Sequence, residues 1–363
     1  MADRNPACTV LCESTRPERS SATFRPDHVR RVVVAYNVDF EEASPKGDAG
    51  HAARKDVATV ASAVADALSS AYDAPLLPVD ADLFAFRSRL EALAPDAVFN
   101  LCESVAGDAR LESAIPMILE AMRIPYTGSP PAALSLGLRK DRVKVALEGA
   151  SVPTPRGGLY AALPQKMTFP CIVKPSREDG SAGIGPTSVV STLATLRRRA
   201  LTVERRFKQP ALVEEFVDGR ELNVAILGDP ARVLPLWEID FSAMARGLPR
   251  IVTYEGKWSV GSAQDRGSRP RRSRLAGAAL SRVKRASLAA FSAIGLRDYG
   301  RVDVRLGSDG VPYVVDVNPN CDLSPNAGFA RAAAAQGISY RSLVRRIAEL
   351  ALARGRGRKA QRG

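Results

Sequence analysis

The stretch RVDVRLGSDGVPYVVDVN, residues 301–318, decides the fold. Two segments that alternate between polar and apolar residues flank a glycine-rich turn at 307–310, and this pattern predicts an antiparallel hairpin. With a turn of that length, we expect Asp303 to lie opposite Val314 and Arg301 to lie opposite Asp316.

Side chains alternate between the two faces of a strand, so the polar side chains of this hairpin should share one face. That face carries Arg301, Asp303, Asp316 and Asn318. The other face carries Val302, Val304, Tyr313, Val315 and Val317. Two carboxylates and an amide suit Mg²⁺, which binds through one or two carboxylates and leaves other positions to water and phosphate. A solvated edge hairpin with paired Arg and Asp is the alternative, and the hairpin alone leaves both open.

A second candidate feature is a loop that could bind phosphate. Lys174 ends the apolar segment 171–173 and precedes a small-residue loop at 176–183. Gly180 and Ser181 in this loop can present backbone N–H groups to phosphates, with the lysine supplying positive charge. The spacing is not that of a Walker A motif, and an ordinary glycine-containing turn is the alternative.

The N-terminal half alternates between short apolar segments and amphipathic segments, which predicts a doubly wound parallel sheet. Strands are expected at 32–36, 76–79 and 97–101, and helices at 57–68, 83–93 and 111–122. Ligands bind at the carboxyl ends of strands in such sheets. This placement points to Asn37 and to residues 100–103.

Composition excludes several classes of protein. Of the 363 residues, 45% are hydrophobic and 25% are charged, which is typical of a globular protein of two or three subdomains. The two histidines both lie near the N-terminus, which argues against a histidine-based triad or a zinc hydrolase site. Five scattered cysteines give no disulfide framework. No apolar run reaches the roughly 20 residues of a membrane span, and 1–28 lacks a signal-peptide core, so a cytoplasmic protein without membrane contact is expected.

The formal net charge is +13, and basic residues cluster at 197–199, 269–274 and 354–362. Nucleic-acid binding is one interpretation, and solvated surface charge is the other. Aromatic residues do not interleave with these clusters, so no specific nucleic-acid partner is expected. The roles of the basic segments 266–274 and 354–362 stay open.

Several motifs occur together in a defined order along the chain. They are Lys140, Lys174-Pro175-Ser176-Arg177-Glu178, Glu214 to Glu221, Lys257, Arg301-Val302-Asp303 and Asp316-Val317-Asn318. From about Arg31 to Leu352 the chain thereby resembles the ATP-grasp superfamily, nearest to D-alanine–D-alanine ligase. The resemblance implies an α/β fold, α+β in part, with a parallel-sheet domain followed by two α+β subdomains that clasp ATP.

The implied organisation has five segments. They are a disordered N-terminal tail at 1–28, an N-terminal α/β domain at 29–138, a central ATP-grasp subdomain at 139–218, a C-terminal subdomain with the metal site at 219–352, and a basic disordered tail at 353–363.

The resemblance also implies roles for individual residues. Phosphates would be bound by Lys140, Lys174, Lys257 and the loop at Ser181. Glu214 and the Val217 backbone would bind adenine, and Glu221 would bind ribose. Asp303, Asp316 and Asn318 would hold Mg²⁺, as two ions, with Mn²⁺ as the alternative. Arg301 and Lys257 would be catalytic. The implied reaction joins a small-molecule carboxylate to an amine, such as an amino acid or peptide, through an acyl phosphate. A homodimer is left open.

Departures from the family pattern concern the substrate. Asp316 stands where the family usually has Glu, Asp322 where it has Gly, Ala327 where it has Ser, Gly180 where it has Ser, Trp258 where it has Tyr, and Cys102-Glu103 where it has His-Gly. The predicted substrate contacts are Asn37, Glu103, Trp258, Asn320 and Asp322. The added carboxylates favour a cationic or amino-bearing substrate over D-alanine. Three alternatives stay open: Asp322 could merely cap a turn, the chain could be a true D-alanine–D-alanine ligase, or it could be a non-catalytic ATP-binding or interaction module.

Overall fold

The structure is a computed structural model that describes residues 29–38, 50–163 and 167–360. The segment 1–28, predicted to be a disordered tail, lies outside the described residues. Within the described part of the chain, the strands form three sheets of three, four and six strands. The first sheet is parallel, and the other two are antiparallel.

The parallel sheet has the strand order β2-β1-β3, which confirms the predicted N-terminal architecture. Residues 32–35 of its central strand are fully buried, as expected for a strand covered on both faces. The elements of this part are β1 Val32–Asn37, α1 Gly50–Leu68, β2 Leu76–Val79, α2 Leu83–Leu93, β3 Ala97–Asn100, α3 Ala114–Ala121 and α4 Pro131–Gly137.

The four-stranded sheet has the order β4-β7-β5-β6 and packs against helix α6. Leu196, Ala200 and Val203 recur at helical spacing on α6 and are buried against this sheet. The elements are α5 Lys140–Gly149, β4 Gly157–Leu159, β5 Cys171–Pro175, β6 Val189–Val190, α6 Leu193–Phe207 and β7 Ala211–Glu215.

The six-stranded sheet has the order β11-β10-β8-β12-β13, with β9 paired to β8. Helix α9 covers its apolar face, where Val283 and Phe291 pack in one cluster with Val302 and Val304. The elements are β8 Gly219–Leu227, β9 Arg232–Val233, β10 Trp237–Asp240, α7 Tyr254–Trp258, α8 Ala263–Gly267, β11 Arg269–Arg272, α9 Gly277–Ile294, β12 Tyr299–Gly307, β13 Pro312–Asn318, α10 Gly328–Ala335 and α11 Tyr340–Ala360.

The register of the β12–β13 hairpin differs from the prediction. Asp303 lies opposite Asp316 and Arg301 lies opposite Asn318, so both predicted pairings are wrong. One cause is the turn, because Leu306 pairs with Pro312 and five residues separate them. The other is a bulge beside Asp303, where the register shifts by one residue.

The bulge also changes which valine enters the core. Val314 is buried in the cluster beneath α9, whereas Val315 and Tyr313, both predicted for the apolar face, are only half-buried. The Val315 carbonyl instead accepts a hydrogen bond from Lys174 at 3.2 Å. The two carboxylates of the hairpin consequently become direct cross-strand neighbours.

The C-terminal end of the chain is helical up to Ala360, so the predicted disorder of 353–363 is wrong for 353–360. Arg354 on this helix donates to the buried Asp298 carboxylate at 2.8 Å and to the Tyr126 carbonyl at 2.6 Å. Asp298 also accepts from the Gly128 backbone N–H at 2.9 Å. Part of the basic tail therefore joins α11 to the rest of the fold. Among the residues that the structure describes, no helix is long and apolar enough to cross a membrane.

Candidate active site

A cleft between the four-stranded and six-stranded sheets collects most of the predicted nucleotide and metal residues. It is lined by Lys140, Lys174, Ser181, Glu214, Val217, Glu221, Asp303 and Asp316. These residues come from α5, β5, β7, β8, β12, β13 and the connecting loops. Residues far apart in the sequence thus face one space.

At the inner end of the cleft, Glu214 is buried between two lysines. Its carboxylate lies 2.7 Å from Lys174 Nζ and 3.0 Å from Lys144 Nζ. Burial alone would raise the pKa of Glu214, but the two lysine charges outweigh it and hold that pKa below its ordinary value. Lys144 was not predicted as a site residue. Its position one helical turn after Lys140 places both lysines on the same face of a helix, and this spacing could have indicated its role.

Lys140 lies between two carboxylates. Its Nζ is 2.8 Å from Asp316 Oδ1 and 2.9 Å from Asp179 Oδ1. Desolvation opposes its charged form, but Asp179 and Asp316 together raise the pKa of Lys140. Desolvation likewise opposes ionisation of Asp316, and the charges of Lys140 and Lys174 lower its pKa. Both groups are therefore charged at neutral pH.

The hairpin carries the candidate metal ligands. Asp303 and Asp316 lie directly opposite each other, and the Cβ atoms of directly opposed residues in an antiparallel pair are typically about 5 Å apart. Arg301 donates to both Asp303 oxygens, at 2.8 and 2.9 Å, and Asn223 donates to Oδ1 at 2.9 Å. The Asn318 side-chain oxygen accepts from the Asn320 backbone N–H at 2.9 Å.

This donor set fits a hard divalent cation. Two carboxylates and an amide oxygen from one strand face are oxygen ligands, as Mg²⁺ requires, and they leave coordination positions for phosphate and water. Within the described ranges, no group of three or more His, Cys, Asp or Glu side chains is arranged to hold a metal ion. The metal role of Asp303, Asp316 and Asn318 stays a prediction.

Elsewhere in the cleft, Glu221 lies 2.8 Å from the guanidinium of Arg305. Desolvation raises the pKa of Glu221, and the Arg305 charge partly opposes this effect. Arg305 lines the same cleft, yet it was not predicted as a site residue. Its position on β12 two residues after Asp303, and so on the same strand face, was the only signal.

A second cavity adjoins the cleft and shares Asp179 and Gly180 with it. Its walls include Glu103, Glu112, Lys257, Trp258, Arg301, Asn318, Asn320 and Asp322. Four of the five predicted substrate residues therefore line one space. The fifth, Asn37, is buried behind the wall, where its side-chain oxygen accepts from the Glu103 backbone N–H at 2.9 Å.

Glu112 is the acidic residue of this wall that the sequence did not single out. It accepts from the Asn320 side chain at 2.7 Å, and Asn320 also donates to the Cys102 carbonyl at 3.1 Å. Desolvation raises the pKa of Glu112 well above its ordinary value, and the nearby charge of Glu103 adds to the effect, while the Asn320 hydrogen bond opposes it. Nothing local in the sequence marks this contact, because 208 positions separate Glu112 from Asn320.

Helix α7 lies over the small-residue loop. Trp258 Nε1 donates to the Gly180 carbonyl at 3.0 Å, and Lys257 Nζ lies 5.1 Å from the centroid of the Trp258 ring. Gly180 and Ser181 both adopt positive φ, of 62° and 64°. Trp258 thus connects the loop to α7 and also lines the second cavity.

Asp322 was predicted either to contact the substrate or merely to cap a turn, and its position is compatible with both. Its carboxylate accepts from the Ser324 backbone N–H at 2.7 Å and so caps a turn, while the residue also lines the second cavity. The neighbouring Cys321 is buried, and burial raises the pKa of its thiol to about 12. A nucleophilic thiolate at this position is therefore disfavoured at neutral pH.

Comparison with known proteins identifies the family. A family model described as the C-terminus of D-Ala–D-Ala ligases matches residues 143–349. The chain belongs to the D-alanine–D-alanine ligase family. It is an ATP-dependent ligase of the ATP-grasp type that forms C–N bonds, and the predicted family and fold are confirmed.

Individual relatives support the same assignment. An uncharacterised protein of Sinorhizobium fredii is 35% identical over 262 residues, covering 70% of this chain and 74% of that protein. A D-alanine–D-alanine ligase of Alcanivorax borkumensis is 32% identical over 268 residues, covering 72% of this chain and 79% of the ligase. The crystal structure of the Bacillus anthracis D-alanine–D-alanine ligase complexed with ATP has the same fold, with a TM-score of 0.67 at 19% identity. It covers 92% of this chain and 100% of that chain.

Proposed function

We propose that this ligase activates a small-molecule carboxylate as an acyl phosphate and couples it to an amine, with at least one substrate that carries a cationic amino group beyond the α-amino group of D-alanine. The acidic wall of the second cavity carries the proposal. Within the described part of the chain, no lysine or arginine lies within ion-pair distance of the Glu112 or Asp322 carboxylates. A cationic substrate group would supply the missing charge partner.

The nucleotide would occupy the cleft between the sheets. In this assignment Glu214 and the Val217 backbone meet the adenine edge and Glu221 meets the ribose hydroxyls. Lys140, Lys174 and the Ser181 loop meet the phosphates. The observed cleft supports these roles because all six residues line it. ATP binding would require Lys174 to exchange part of its contact with Glu214 for phosphate oxygens, while Lys144 keeps Glu214 paired.

Divalent ions would be held by Asp303, Asp316 and Asn318. We propose that two Mg²⁺ ions bind, and that Mn²⁺ can replace them. Bound metal would neutralise phosphate charge as the γ-phosphoryl group transfers. The same two carboxylates are partnered in the structure by Arg301 and Lys140. These cations would then be available to phosphate or to a developing oxyanion.

The reaction would proceed in two steps. A carboxylate oxygen of the first substrate bonds to the γ-phosphorus as the bond to ADP breaks. The free-base amine then bonds to the acyl carbon, the bond from that carbon to the phosphate oxygen breaks, and the proton that the amine loses leaves with inorganic phosphate as hydrogen phosphate. Arg301 lines the cavity beside Asn318 and would stabilise the tetrahedral intermediate, while Lys257 would neutralise the transferred phosphate.

A substrate screen tests the proposed function. Amino acids, diamines and diamino acids are supplied in pairs with Mg-ATP, and ADP release is measured by a coupled assay. We expect release that requires both a carboxylate and an amine, with basic substrates preferred over D-alanine. Release with D-alanine alone at the higher rate would contradict the proposed substrate class and favour D-alanine–D-alanine ligation, the second candidate, which the 32%-identical ligase supports.

Replacing Glu112 by glutamine should raise KM for the basic substrate roughly tenfold, because a charge-assisted hydrogen bond is lost. Gln can keep the contact with Asn320.

The raised pKa of Glu112 determines the direction in which KM for the basic substrate changes with pH. In the parent enzyme KM should fall as pH rises through that pKa, because only the ionised carboxylate attracts the ammonium group, and this dependence should vanish in the variant.

Thermal unfolding provides an independent check on the same residue. Folding raises the pKa of Glu112, so its contribution to stability is lost as pH rises, and Glu112→Gln should therefore stabilise the protein at high pH more than at low pH. The exposed Glu91→Gln serves as the matched control and should change neither quantity. An unchanged KM in Glu112→Gln would rule out contact with the cationic group.

A further inference from the structure

Arg305 is a buried arginine in the nucleotide cleft for which the proposed reaction gives no direct role. It lies on β12 directly opposite Glu221 on β8, and its Nη2 is 2.8 Å from the Glu221 carboxylate. Arg305 is 5% exposed, so this ion pair lies largely out of solvent. A buried charge costs stability unless its partners are well placed, so the arrangement of those partners is informative.

Of the residues that contact Arg305, Phe216, Val217 and Glu221 line the cleft, whereas Gly219, Phe241 and Arg250 lie outside its lining. The guanidinium donates to the carbonyls of Val217 and Gly219, each at 3.4 Å, and to the carbonyl of Arg250. Its Cζ lies 5.3 Å from the ring centroid of Phe216 and 5.7 Å from that of Phe241. One side chain therefore connects the 216–219 segment, strand β8 and the 241–250 loop.

We propose that Arg305 is a positioning residue for the nucleoside of ATP. It holds the Glu221 carboxylate and the 216–219 backbone in the arrangement that accepts ribose hydroxyls and a purine edge. The inference rests on the proposed nucleotide roles of Glu221 and Val217. A planar guanidinium suits this task because its five donors have a fixed geometry, whereas a lysine would offer a single flexible ammonium group.

A ribose hydroxyl can donate to the Glu221 carboxylate only when that carboxylate is held in a suitable orientation. When Arg305 is removed, Glu221 loses its ion-pair partner and the carbonyls of Val217 and Gly219 lose a shared donor. The loss should be largest for ligands that carry the ribose hydroxyls, small for a ligand that keeps only the purine, and absent for a ligand without a nucleoside. Phosphate binding should be spared, because Arg305 is not in contact with Lys140, Lys174 or the Ser181 loop in the described structure.

Calorimetry with three ligands tests the inference without knowledge of the substrates. ATP, 2′,3′-dideoxy-ATP and inorganic tripolyphosphate are titrated, each with Mg²⁺, into the parent protein and into Arg305→Met. We expect ATP affinity to fall roughly 10- to 100-fold, as for a lost charge-assisted hydrogen bond. Dideoxy-ATP should weaken by less than about threefold, because it lacks the hydroxyls that Glu221 would bind, and tripolyphosphate should bind unchanged. The exposed Arg246→Met is the matched control and should bind all three ligands like the parent.

Several outcomes would overturn the inference. One is an ATP affinity within twofold of the parent, and another is an equal loss for all three ligands, which would indicate a merely structural role. If Arg305→Met does not fold, Arg305→Lys keeps the charge and should show a smaller loss confined to ATP, whereas an unchanged affinity would overturn the inference. If the parent protein does not bind ATP, the proposed function itself is refuted. If the parent protein binds ATP and the variant binds it equally well, only the role of Arg305 is refuted.

Discussion

Replacing Lys174 by methionine is expected to lower the rate of ADP release by about 10²- to 10³-fold, because a positive charge that stabilises the transferred phosphate is removed. The fold should survive. Glu214, which Lys174 partners at 2.7 Å, keeps Lys144 at 3.0 Å and so is not left as an unpaired buried charge. The measurement is steady-state ADP release at saturating substrates, together with the melting temperature.

The matched control is Lys284→Met, which removes an exposed lysine from helix α9. It should retain the parent rate. If Lys174→Met retains more than half of the parent rate with an unchanged melting temperature, Lys174 has no role in stabilising the transferred phosphate.

Replacing Arg354 by alanine should destabilise the protein by about 2–4 kcal/mol, because it leaves the Asp298 carboxylate buried without its charge partner. The side chain of Arg354 is 25% exposed, so the lower part of the range expected for fully buried pairs applies. Urea or thermal unfolding measures the change. Activity at low temperature should be retained, since Arg354 lines neither the cleft nor the second cavity among the described residues.

Two further variants make this stability result specific. Arg356→Ala removes an exposed arginine from the same helix and should be neutral. Adding Asp298→Asn to Arg354→Ala should recover much of the loss, because Asn removes the buried charge, can still accept from Gly128 and tolerates the positive φ of 63° at this position. Equal effects of Arg354→Ala and Arg356→Ala would show that the tail contributes only surface charge.

The hairpin shows both the strength and the limit of sequence reasoning. Alternation alone placed Asp303 and Asp316 on one face, and the structure shows them side by side. Alternation did not give the register, because one bulged residue and one extra residue in the turn are not visible in a period-two pattern. The prediction therefore named Val314 as the partner of Asp303, although Val314 is a core residue.

The site was only partly predictable for a related reason. The resemblance to a known family predicted cleft residues such as Lys140 and Glu214, because they match its ordered motifs. Glu112, Lys144 and Arg305 match none of these motifs. Their importance comes from contacts with Asn320, Glu214 and Glu221, which are formed only when distant segments fold together.

The predicted disorder of 353–363 is wrong for 353–360, where the helix continues past a glycine. Gly355 lies inside α11, where its backbone packs against Pro125. A Cβ at this position would lie 2.6 Å from Pro125 Cγ, so the glycine permits close packing. A glycine that ends a helix and a glycine that admits a neighbour look the same in a sequence.

The central claim is that the hairpin carboxylates hold a divalent ion that links ATP to the lysines of the cleft. Calorimetric titration of ATP with and without Mg²⁺, in the parent protein and in Asp316→Asn, tests it most directly. The hairpin-turn variant Asp309→Asn is the control, because its side chain is exposed and lies outside the cleft. We predict that Mg²⁺ strengthens ATP binding in the parent and in the control, and that this gain is largely lost in Asp316→Asn. An equal gain from Mg²⁺ in all three proteins would contradict the assignment of the metal site.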